Sequence, residues 1–183
     1  MRRRNFIFDI FSIGLISSMT PKVNAKEFIN NNMVRSISTW KTTEANLKAG
    51  LMLDKGIDGL SAAVSGVAIE EENPNNTTVG FGGAPDRSGR VTLDACVMNH
   101  LGDCGSVVAV ENIVNVARLA KDVMEKTPHV MLAGKGAEEF AISQGYEKRD
   151  LLTEKSKEDW KKWLENEDYK PIINIENLSL IHI

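Results

Sequence analysis

Between Val91 and Met98 the chain alternates: Val91, Leu93, Ala95 and Val97 are apolar, and Thr92, Asp94, Cys96 and Met98 lie between them. A period of two predicts a strand with two different faces. The turn signal Asn99-His100-Leu101-Gly102-Asp103 leads from it into the apolar run beginning at Cys104, so the two runs read as a hairpin. Upstream, Val79 to Gly83 reads as a short glycine-rich strand, reversed by the polar turn Pro85-Asp86-Arg87-Ser88-Gly89. Helical spacing governs the flanks. Leu60, Ala63, Val64, Val67 and Ala68 form one apolar stripe, and Ile113, Val116, Ala117, Ala120, Val123 and Met124 form a second that Thr127-Pro128 stops. Glu44 to Lys55 predicts a weaker helix ended by Gly56, and Ala137, Phe140 and Ala141 point inward from a helix closed by Gly145. Val34 to Trp40 and His129 to Gly134 read as strands, the second short and buried. Ser156 with Asp159 opens a last helix bearing Trp160, Trp163 and Leu164, and residues 169–177 read as an extended tail. The order β-α-α-β-β-β-α-β-α-α predicts an α+β fold with helices over a largely antiparallel sheet.

Composition adds limits. The 183 residues are 42% hydrophobic and 26% charged, enough for one domain with a real core. A net charge of −3 disfavours a nucleic-acid binder, which needs a basic face. Arg2, Arg3 and Arg4 precede an interrupted apolar run from Phe6 to Met19, and Val23-Asn24-Ala25 offers a small-x-small cleavage site. Residues 1–25 therefore read as a secretory leader, with Arg-Arg-Arg-Asn-Phe-Ile resembling a twin-arginine signal. The run is too short and broken for a membrane span, so no membrane segment is expected in the mature form. Residues 26–33 read as a linker, and an exported, periplasmic or secreted location follows. Export permits a disulfide between Cys96 and Cys104, and two buried thiols fit as well. His100, His129 and His182 are scattered without metal-ligand spacing, and Gly134-Lys135-Gly136 lacks the rest of a phosphate loop. The acidic run Glu70-Glu71-Glu72 is most simply a solvated helix end, and Asn76-Thr77-Thr78 fits a glycosylation acceptor. Periodicity and composition name no reaction.

Four segments together carry a resemblance: "STW" at 38–40, "TTVGFGGAPDRSGRVTLDACVM" at 77–98, "GSVVAVENIVNVARLAKDVMEKTPHVMLAGKGAEEFAISQGY" at 105–146, and "YKPIINIEN" at 169–177. They resemble the α-chain of the glycosylasparaginases, also called aspartylglucosaminidases, among the N-terminal nucleophile hydrolases. The resemblance implies part of a four-layer αββα sandwich made from a precursor that cuts itself before a threonine. That threonine, first residue of the β-chain, attacks the side-chain amide of a glycosylated asparagine, its own freed α-amino group acting as base. The products are aspartate and a glycosylamine; no metal or organic cofactor is implied. The implied partners are the β-chain of the same precursor, in an (αβ)2 assembly, and the glycosylated asparagine. By the same resemblance Trp40 lines the substrate pocket, and Thr78 stands where the family usually has a serine whose hydroxyl contacts the nucleophile. Asp86 and the glycines read as structural, and Asp94 is not expected to be catalytic.

Residues 34–177 match this pattern, with departures. The family's Leu-Asp-Ala-Val-Glu appears as Leu60-Ser61-Ala62-Ala63-Val64, without either carboxylate. After Asn177 the family continues into His-Asp-Thr, whereas here Leu178-Ser179-Leu180-Ile181-His182-Ile183 follows. That hexapeptide is the translation of the transposase mosaic-end adapter of sequencing libraries. Residues 178–183 are therefore expected to be a non-native tail, with no catalytic residue in the chain and the nucleophile beyond its end. A plant-type asparaginase or isoaspartyl peptidase is the alternative enzyme, and a non-catalytic fragment the alternative outside enzymes. The plant-type group has a His-Gly-Gly-rich loop where this chain has Ser38-Thr39-Trp40.

Overall fold

The computed structural model describes residues 34–165. The leader, the linker, the 169–177 tail and the 178–183 tail all lie outside them. Helix α1 is Thr43–Asp54 and α2 is Gly59–Glu72. Asp58 caps α2 by accepting the Ser61 N–H at 2.9 Å, and the Ser61 side chain, with that N–H second, holds its carboxyl below the usual range. Strands β1 (Leu93–Met98) and β2 (Cys104–Val110) pair antiparallel, with Met98 opposite Cys104 at the turn. Helix α3, Val116–Lys126, crosses back to β3, Met131–Ala133, which runs parallel to β2. Helix α4 (Gly134–Ser143) and α5 (Glu154–Glu165) complete the described order. The fold is α+β, built on a three-stranded sheet ordered β1-β2-β3.

The stripe predicted around Val116 is the heart of the core. Ile113, Leu119, Ala120 and Val123 are buried against Val107 and Val110 of β2, with Ala137 and Ala141 of α4 closing the cluster. Gly105 makes the approach of α3 feasible: a Cβ there would strike the Ala120 carbonyl and crowd Met124. Asp94 is structural. The β1–β2 register slips between Leu93 and Ala95, leaving Ala109 with φ of 53°, and Asp94 Oδ1 accepts the Ala109 N–H at 2.6 Å. Asp86 likewise holds its turn, accepting from the Ser88 and Arg90 N–H groups at 2.8 and 3.0 Å.

Several expectations need correction. Val34–Trp40 is not a strand; it has no ladder, and its Ser36 and Ser38 hydroxyls bond to the Asn46 side chain of α1. Val79–Gly83 is a turn. Gly80 and Gly82 sit in the left-handed region at φ of 63° and 100°, and a Cβ on Gly80 would collide with the Glu71 backbone. The segment His129–Gly134 forms only the three-residue β3, an edge strand with Val130 and Met131 exposed, and its parallel pairing makes the sheet mixed. On α2 the stripe is displaced: Ala62 and Val64 are buried while Ala63 and Val67 are exposed. Thr153, not Ser156, opens α5, accepting the Ser156 N–H at 3.2 Å. Cys96 and Cys104 are both unbonded thiols, with Cys96 exposed rather than buried.

Candidate functional site

The two residues singled out for substrate contact lie on one groove. Trp40 and Thr78 both line a cleft of about 670 Å³ running along α1 and the exposed side of α2, with Ala63, Val67 and Val79 on its floor. A second cleft of about 590 Å³ lies between α2 and the outer face of β1, and it shares Ala63, Val67, Thr78 and Val79 with the first. Thr78 therefore stands where the two clefts join.

Segment 36–40 reaches the groove by a side-chain web. Ser36 Oγ donates to Asn46 Oδ1 at 2.7 Å, Asn46 Nδ2 donates to Ser38 Oγ at 3.1 Å, and Ser38 Oγ donates to the Trp40 carbonyl at 2.8 Å. The Thr42 N–H closes a tight turn on that same carbonyl at 2.7 Å. Asn46, one turn into α1, thus fixes the direction from which Trp40 leaves the helix. The indole itself is 80% exposed and Ile37 94%. Large apolar side chains in that state mark a surface for contact rather than core.

Thr78 is held from the other side. Asn76 Oδ1 accepts both the Thr78 N–H at 3.0 Å and the Thr78 hydroxyl at 2.6 Å, an Asx turn. Asn76 Nδ2, the atom a glycan would need, donates instead to Glu70 Oε2 at 3.0 Å. Beyond Thr78 the glycine turn is pinned at three points. The Phe81 N–H donates to the Glu71 carbonyl at 2.7 Å, the Gly82 N–H donates to the Leu151 carbonyl at 2.8 Å, and the buried Ser156 hydroxyl of α5 donates to the Gly82 carbonyl. Arg149 covers the Phe81 ring at 3.4 Å from its centroid.

Glu71 overturns the reading of the acidic run as solvated. Its side chain is 3% exposed, and Oε1 accepts the Ala117 N–H at 2.9 Å in the first turn of α3. It supplies from α2 the cap that Asn115, whose side chain makes no cap bond, does not. Burial pushes its carboxyl above the usual range, opposed by the bonds from Ala117 and Asn115. Tyr146 donates its hydroxyl to Asp122 at 2.9 Å, and its pKa is raised chiefly by burial and then by this bond. Glu70, Glu71, Asn46 and Asn76 all escape sequence reasoning. Only the Asn-x-Thr spacing at 76–78 signals an Asx turn in advance.

Chemically, the groove offers an exposed aromatic ring, an apolar floor, one oriented hydroxyl and a carboxylate, Glu70, at its edge. Among the described residues no cluster of His, Cys, Asp and Glu could hold a metal ion, and no helix is long and apolar enough to cross a membrane.

A family model described as Asparaginase matches residues 23–179, and the chain belongs to that family. It is 48% identical over 169 residues to the N(4)-(beta-N-acetylglucosaminyl)-L-asparaginase of Elizabethkingia miricola, covering 92% of this chain and 48% of that protein. To the protein of the same name from Mus musculus it is 37% identical over 129 residues, covering 70% of this chain and 37% of that protein. The chain spans about half or less of the length of these curated relatives.

Proposed function

We propose that this chain is an incomplete α-chain part of an exported, autoprocessed hydrolase that cleaves the amide between N-acetylglucosamine and an asparagine side chain. The observation that carries this is the 48% identity, sustained over 92% of the chain, to a protein named for that reaction. In this reading the described unit supplies part of a four-layer αββα sandwich, and the β-chain of the same precursor supplies the nucleophile, with an (αβ)2 assembly when complete. The β-chain threonine attacks the amide carbon, its α-amino group takes the hydroxyl proton, and the glycosylamine leaves. Water then releases aspartate from the acyl-enzyme. Trp40 contributes an apolar wall for the substrate, and Thr78 contacts the attacking threonine. Their common groove supports both roles.

In this reading the attacking group belongs to the β-chain, so the chain alone is expected to hydrolyse nothing. The test is aspartate release from N-acetylglucosaminyl-asparagine, with free asparagine as competitor. The expected result is turnover by the complete precursor product, preference for the glycosylated substrate, and none by the 183-residue chain. Release of aspartate by the chain alone, or preference for free asparagine, overturns the proposal.

A further inference from the structure

The hydrogen bonds around Asn76 determine which way Thr78 is polarised. The Thr78 N–H can only donate, and it faces the Asn76 amide at 3.0 Å, so the atom there is the amide oxygen. The opposite end of the same amide faces Glu70 Oε2, a carboxylate oxygen that accepts, at 3.0 Å. Both neighbours fix the same orientation of the side chain. The amide oxygen carries no proton, so the 2.6 Å contact with Thr78 Oγ1 is made with the threonine's own hydroxyl proton. With that proton committed, only the lone pairs of Oγ1 remain for the groove.

We infer that Asn76, oriented by Glu70, is a positioning residue that makes Thr78 a hydrogen-bond acceptor at the junction of the two clefts. The group seated against it must then bring a proton, as an ammonium or a hydroxyl does and a carboxylate or carbonyl oxygen does not. This rests on the proposed function, in which that group belongs to the attacking threonine. An acceptor beside an amino group favours its ammonium form. A hydroxyl released from Asn76 can donate to the neutral amine instead, which lowers that group's pKa.

The test uses the complete precursor product carrying Asn76→Ala and Thr78→Val, singly and combined. Asn76→Ala should lower kcat about three- to tenfold, the value of one oriented hydrogen bond, with KM little changed. The acid limb of its kcat/KM profile should move to lower pH. The titratable side chains lining the two clefts, Glu70 in one and Glu71, Asp94 and Cys96 in the other, are retained in every variant. In the Thr78→Val background the cost of Asn76→Ala should vanish. Three-bond couplings from a labelled Thr78 methyl should report one χ1 rotamer in the wild type and averaging in Asn76→Ala. An equal cost in both backgrounds, an unmoved acid limb, or a single rotamer in Asn76→Ala overturns the inference. A wild type that releases no aspartate overturns the functional reading instead, and the Thr78 rotamer still decides the role of Asn76.

Discussion

Replacing Glu71 by alanine and by glutamine separates two things that this buried carboxylate does. Alanine leaves the Ala117 N–H, itself buried, without an acceptor, which costs about 1–3 kcal/mol. It also removes an anion from the N-terminus of α3, worth about 0.3–1 kcal/mol. Relief of a buried carboxylate offsets part of this, so the net loss should be about 1–3 kcal/mol. Glutamine keeps an oxygen for Ala117 and discards the charge, and should stay within about 1 kcal/mol of the wild type. The pH dependence has a definite sign. Burial raises the folded-state pKa above the usual value of 4.5, so the stability Glu71 contributes is greatest below that value and is lost as pH rises through the folded one. Glutamine does not titrate, so the wild type should gain on Glu71→Gln as pH falls from neutral. Urea unfolding of the complete precursor across this range, with hydrogen exchange at the Ala117 amide, reads both effects. An alanine variant within about 0.5 kcal/mol of the wild type refutes the capping argument. A wild type that loses ground to glutamine on acidification refutes the burial argument.

Three other outcomes follow from the packing. Gly105→Ala forces a methyl group against the Ala120 carbonyl and Met124 and should destabilise by about 1–3 kcal/mol or more in the same unfolding assay. Ser156→Ala removes the hydroxyl donated to the Gly82 carbonyl, with an expected loss of about 1–2 kcal/mol and faster exchange at the amides of the glycine turn. The 183-residue chain by itself should aggregate, because among the described residues β1 is an open sheet edge with its own Met98 exposed; a monomer by size-exclusion chromatography that melts cooperatively contradicts this.

Legibility from sequence depended on how far away each residue's partner lies. The stripe from Ile113 to Val123, the alternation from Val91 to Met98 and the turns at Asp86 and Asn99 are all found as expected, because local period and turn chemistry decide them. Glu71 was not legible at all. An acidic run at a helix end looks the same whether water or the start of another helix receives it, and the receiving N–H is 46 positions away. The glycine turn failed for a related reason. Glycines fit a strand as well as a left-handed turn, and only the closeness of the Glu71 backbone excludes the strand.

The candidate site shows the same limit from the other direction. A hydrophobic pattern says which positions should leave water, not which chain covers them. Ala63 and Val67 belong to a stripe expected to face a core, Ile37 to a segment expected to be a strand and Trp40 to a substrate pocket; all four are exposed along one pair of clefts in the described unit. Four exposed apolar residues scattered over the surface would need no explanation. Four gathered around Thr78 do, since contiguous apolar surface beside an oriented hydroxyl is the signature of a face built to be occupied. The proposed β-chain is the occupant that answers this. Under the proposed function it would cover this face and bring to Thr78 a group carrying the proton that Asn76 leaves that hydroxyl ready to accept. Apolar surface left open around one oriented acceptor is what that reading requires of an α-chain part taken alone.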